Sequence, residues 1–88
     1  MSSSAQVSVL FFAKARELTG CNQATLAVDS QLTVAQLRAR VFTAFDCLLP
    51  IRDHVIVAVN EEYKDDESEV LALQDGDEIA VIPPISGG

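Results

Sequence analysis

Basic residues are scarce in this chain. Six Lys and Arg stand against thirteen Asp and Glu, a formal net charge of −7 with the single histidine neutral. Binding to nucleic acid rests on neutralising phosphates with Lys and Arg, and anionic membranes ask for the same residues. A chain this acidic is a poor candidate for either, so neither nucleic acid nor membrane is expected as a partner. Cysteine is scarce too: Cys21 and Cys47 are too few for a disulfide framework. Together with His54 they show no metal-ligand spacing, and four thiolates for an iron–sulfur cluster do not exist, so no metal is expected. No run approaches the roughly 18 apolar residues of a membrane span. No basic residue precedes Lys14, so neither a signal peptide nor a transit peptide is expected. The cytosol is the expected location.

What is present is enough for one core. Eighty-eight residues make a single domain, 49% of them apolar and 22% charged, which is globular rather than disordered composition. A domain of this size buries about 60–65% of its unfolded surface. That is too little for a deep pocket walled on every side, so autonomous catalysis is not expected. The acidic balance suits a protein partner with a basic face.

Residues 1–6 are small and polar and are expected to be disordered. Val7–Ala13 alternates and then turns apolar on both faces, the pattern of a strand entering a core. Lys14–Thr19 reads as a helical turn closed by Gly20, and Ala24–Val28 as a second strand. The strongest local signal follows. Thr33 and Gln36 have capping-box spacing, and Leu32 and Leu37 have hydrophobic-staple spacing. Val34, Leu37, Val41, Phe45 and Leu48 continue as an apolar stripe with Arg38 and Arg40 off it, which predicts a helix over 33–48 ended or followed by Pro50.

Val55–Val59 is a β-branched run and reads as a buried strand. Asn60 opens a turn, and Glu61, Glu62, Asp65, Asp66, Glu67 and Glu69 then read as a solvated loop or sheet edge, with a docking patch for a basic partner as the alternative. Val70–Leu73 suits a short edge strand, Asp75-Gly76-Asp77 a turn, and Glu78–Ile82 a last strand apolar on both faces. The most apolar strands, first and last, suit adjacent central positions in a mixed sheet. The sum is an α+β, β-grasp (ubiquitin-like) domain over 7–82 with one main helix. One helix cannot cover both sheet faces, so a partner would cover the second where it is apolar.

Residues 83–88 form the tail: Pro83, Pro84, Ile85, Ser86, Gly87 and Gly88. Two prolines favour an extended course, and six extended residues reach up to roughly 20 Å. Two terminal glycines arise by chance at about 0.5% from average glycine use. A terminal carboxylate becomes a useful electrophile once ATP converts it to a mixed anhydride that a sulfur nucleophile can attack. Glycine suits that chemistry because no Cβ obstructs a narrow channel, and prolines reduce the entropy lost on threading.

The ending Gly76-Asp77-Glu78-Ile79-Ala80-Val81-Ile82-Pro83-Pro84-Ile85-Ser86-Gly87-Gly88 resembles the small, sulfur-carrying subunit of molybdopterin synthase, as do Val9–Gly20 and Asn60–Tyr63. The resemblance spans nearly the whole chain from residue 7. It implies that an activating enzyme of the ubiquitin-E1-like kind adenylates Gly88 with ATP and that a sulfurtransferase step makes the thiocarboxylate. It further implies that residues 83–87 enter the large synthase subunit, where sulfur passes to cyclic pyranopterin monophosphate and builds the molybdopterin dithiolene. The implied assembly has two small and two large subunits, and this chain alone is not an enzyme and holds no cofactor. A protein modifier or a thiamine-type sulfur carrier would use the same Gly-Gly terminus.

Overall fold

The structure is a computed structural model that describes residues 3–83. Seven strands are present: β1 (Ser4–Phe11), β2 (Gln23–Asp29), β3 (Gln31–Thr33), β4 (Ile56–Val59), β5 (Glu62–Lys64), β6 (Val70–Ala72) and β7 (Glu78–Ile82). Two α-helices accompany them, α1 (Lys14–Thr19) and α2 (Val34–Ala44), and 3₁₀ turns run over Asp46–His54. The main sheet has the order β2-β1-β7-β4-β5, with β1 and β7 parallel and the other pairs antiparallel. The two most apolar strands are therefore neighbours, as their composition requires. β3 and β6 form a separate two-stranded sheet.

β1 begins at Ser4, earlier than composition suggests, because Ser4 and Ala5 pair with Asp29 and Val28 and Ala5 is buried. The ladder that β2 offers outweighs the small polar residues' tendency to fray. Val7, Val9, Phe11, Ile79, Val81, Val57 and Val59 point to the core face, where Val34, Leu37, Val41 and Leu48 of the helical layer meet them. Phe11 and Phe45 close one end of that core edge to face, with ring centroids 5.1 Å apart.

The start of α2 follows its sequence signal. Thr33 Oγ1 accepts from the Gln36 N–H at 3.1 Å, and Gln36 Oε1 accepts from the Thr33 N–H at 2.8 Å. Two further free N–H groups of the first turn, on Val34 and Ala35, donate to the carbonyls of Glu69 and Glu67. The end of the helix is a correction to the sequence reading. α2 stops at Ala44, Phe45 leaves helical geometry at φ −124° and ψ 70°, and Pro50 lies inside the 3₁₀ run. Proline has no N–H to donate and disfavours α geometry at Leu49, so the chain tightens into 3₁₀ turns that still bury Leu48.

Of the two readings of the acidic stretch, sheet edge holds for its first part. That part forms β5, and Lys64 Nζ lies 3.0 Å from Glu62 and 2.9 Å from Glu69. The bonds to Glu69 and then Glu62 hold the Lys64 ammonium above its ordinary pKa. A lysine pKa raised by folding contributes stability at neutral pH that fades only as pH climbs past the ordinary lysine range. Arg38 pairs with Glu67 at 3.4 Å.

Candidate functional site

The core takes one face of the main sheet, and the residues between the core positions form the other. Their register is specific. Leu10 of β1 lies beside Ala80 of β7, Ala80 beside Ala58 of β4, and Ala58 beside Tyr63 of β5. Two alanines in the middle of this row, with larger side chains at its ends, leave a depression. It holds about 270 Å³ and is lined by Leu10, Phe12, Ala58, Ala80, Ile82 and Tyr63, with Glu61 and Glu78. Phe12 is 47% exposed, Tyr63 69% and the neighbouring Ile56 46%, a cluster of large apolar side chains that water covers at a free-energy cost.

Unusual backbone brackets the groove. Ala13, directly after Phe12, has φ 49° and ψ −123°, a region that favours glycine. At the other end Asn60 and Glu61 join β4 to β5 in a two-residue turn with φ 50° and 72°. Asn60 is tied to the start of β7 twice: its N–H donates to the Glu78 carbonyl at 2.8 Å, and its Oδ1 accepts from the Glu78 N–H at 2.9 Å. The groove thus runs along β7, from Glu78 at the turn to Ile82 at the end that leads into the tail.

Of the residues expected to form the tail, Pro83 lies among the described ones and is buried. It continues the alternation of Ile79 and Val81 and so belongs to the core-facing side of β7. The last strand ends at Ile82, so Pro83 lies beyond its ladder and is nevertheless buried. Pro84, Ile85, Ser86, Gly87 and Gly88 lie outside the described residues. Pro83→Gly is expected to lower stability by about 1–1.5 kcal/mol, through lost burial and a more flexible unfolded chain. Pro84→Gly is expected to stay within about 0.5 kcal/mol. Urea unfolding of both variants checks this, and equal midpoints would show that Pro83 plays no part in the core.

Cys21 and Cys47 are both exposed free thiols. Among the described residues no group of His, Cys, Asp or Glu is arranged to hold a metal ion, and no helix is long and apolar enough to cross a membrane. The groove residues escaped individual notice in the sequence. Their signal was there in strands apolar on both faces, but Tyr63 stood inside an acidic run, and pairing alone brings it opposite Ala58.

The family model described as ThiS family matches residues 9–88. The human molybdopterin synthase sulfur carrier subunit is 46% identical over 83 residues, 94% of each chain. The chain belongs to the ThiS family, among the molybdopterin synthase sulfur carrier subunits. The crystal structure of small archaeal modifier protein 1 from Haloferax volcanii aligns with a TM-score of 0.73 at 27% identity, covering 92% of this chain and 99% of that one. Caldiarchaeum subterraneum ubiquitin aligns at 0.67 over 98% and 100% with 18% identity, which places the fold in the ubiquitin-like β-grasp class.

Proposed function

We propose that the chain is the sulfur carrier subunit of molybdopterin synthase and works in the cytosol. An E1-like enzyme would join the Gly88 carboxylate to AMP, with pyrophosphate leaving ATP. A sulfur nucleophile then displaces AMP and leaves a thiocarboxylate. Delivered into the large subunit, that sulfur replaces an oxygen substituent of cyclic pyranopterin monophosphate, water then cleaves the acyl C–S bond and restores the Gly88 carboxylate, and two such deliveries make the dithiolene. The chain contributes the nucleophile, held near the substrate as an intramolecular reactant; acid–base groups and substrate contacts belong to the large subunit. The observation that carries this reading is the 46% identity, over 94% of both chains, to a protein named for that role. The geometry supports it, because the apolar groove along β7 offers a docking face whose tail end is where the reactive terminus departs.

Intact mass of protein purified from its native host tests the proposal. One oxygen-for-sulfur exchange is expected, localised to Gly88 by fragmentation. Cys21→Ser with Cys47→Ser should load equally, since both thiols are exposed and neither belongs to the groove. A folded double variant that no longer accepts sulfur would mean that the sulfur-bearing group has been misassigned.

A protein-modifier role has one observation behind it, the likeness to a protein named as an archaeal modifier. It predicts isopeptide conjugates of Gly88 on lysines of other proteins. At 27% identity against 46%, it is the second reading.

A further inference from the structure

We propose that the groove takes an apolar ridge of its partner that ends in a Lys or Arg side chain, received by Glu61 and Glu78 at the end remote from the tail. The inference rests on the docking role of the groove proposed above and adds the chemistry of what docks there.

Eight residues line the groove, and the charged ones among them, Glu61 and Glu78, have one sign. The other four glutamates have in-chain cations, Glu62 and Glu69 on Lys64, Glu67 on Arg38 and Glu17 on Lys14, while among the aspartates of the described residues only Asp53 has one, on Arg52. Among the described residues Glu61 and Glu78 form no such pair. No Lys or Arg lines the groove, so its charged end is left with an unbalanced negative field. The paired hydrogen bonds between Asn60 and the Glu78 backbone fix the turn carrying Glu61 against the strand start carrying Glu78. Both glutamates thereby line the same end of the groove. A planar guanidinium suits such a pair best, because it can donate to both.

Position 61 carries a second indication. The turn geometry favours Asn followed by Gly, yet the second place, at φ 72°, is held by a glutamate. Glycine would relieve the backbone there, so the carboxylate is present against a local conformational preference. Charge at the rim acts chiefly on the rate of encounter, while the apolar floor sets how long the complex lasts. Glu61 and Glu78 thus orient a partner so that the opposite end of the groove, and the tail beyond it, arrives in register.

Stopped-flow association with the cognate large subunit of molybdopterin synthase tests this at low and high salt. The double variant Glu61→Gln, Glu78→Gln is expected to associate about tenfold more slowly at low salt and to show a flatter salt dependence. Asp46→Asn with Asp53→Asn changes net charge equally on the 3₁₀ run across the sheet, and should change the rate far less. Glu61→Gly should raise the unfolding midpoint and still slow association, a combination that a purely structural role for the side chain does not give. If both double variants slow association equally, net charge is responsible and the inference fails. An unchanged rate and salt slope in the groove variant overturns it as well, with the docking role intact. If the unmodified protein fails to bind the large subunit, the proposed function falls and takes the inference with it.

Discussion

Deleting Gly88, or adding one residue after it, is expected to reduce sulfur loading to background while leaving the unfolding midpoint where it was. The proposed chemistry uses one reactive atom of this chain, the carboxyl carbon of the last glycine. An added residue moves that carbon out of register and puts a Cβ, unless the addition is glycine, where a narrow channel must admit the chain. The folded domain should not notice, since the core strands end at Ile82. Loading is read as the mass of the thiocarboxylate after incubation with the activating enzyme, ATP and a sulfur donor. Transfer is read in a single turnover with the large subunit. Full molybdopterin synthesis with an extended terminus would end the carrier reading, whatever the groove does.

Replacing Arg38 should cost more stability than either proline change. Its Nη1 donates to the Val55 carbonyl at 2.7 Å and its Nη2 to the Arg52 carbonyl at 2.8 Å. Nε faces Glu67, and the guanidinium carbon lies 5.7 Å from the centre of the Phe42 ring. One side chain of α2 thus ties down the end of the 3₁₀ run, the entrance to β4 and the acidic loop. Arg38→Ala is expected to lower stability by about 2–3 kcal/mol, a figure that assumes charged hydrogen bonds partly open to water. Arg38→Lys should recover less than half of it, because an ammonium cannot span both carbonyls with the fork of a guanidinium. Urea unfolding measures both. A lysine variant as stable as the parent would mean that charge alone, rather than the two-carbonyl clamp, holds the junction.

The elements with local causes were legible in the chain. Gly20 closes α1 at φ 75°, Gly76 takes φ 91° in the turn before β7, and the Thr33–Gln36 box starts α2. β7 occupies the expected Glu78–Ile82. Each depends on residues within about four positions of one another, where propensity and capping act directly. The end of α2 was misread because the apolar stripe continues through Phe45 and Leu48. Periodicity reports which side chains want burial, and 3₁₀ turns can satisfy the same demand. β3 has no signal of its own, because it is three residues long and pairs with β6 far along the chain, whereas β5 lies where the acidic run reads as a sheet edge.

By itself the sequence determined the class of the fold and pointed to the end proposed to react. Strand composition made β1 and β7 central, and the Pro-Pro-x-Ser-Gly-Gly ending carries the proposed chemistry in its residue types. Tertiary structure alone decided that Pro83 belongs to the core and that Arg38 is a clamp. It also decided that Leu10, Ala80, Ala58 and Tyr63 line up as one groove with Glu61 and Glu78 at its end. Those facts depend on strand register and on contacts between residues from 5 to 70 positions apart. A shift of one residue in a ladder would turn the groove side chains of that strand to the opposite face.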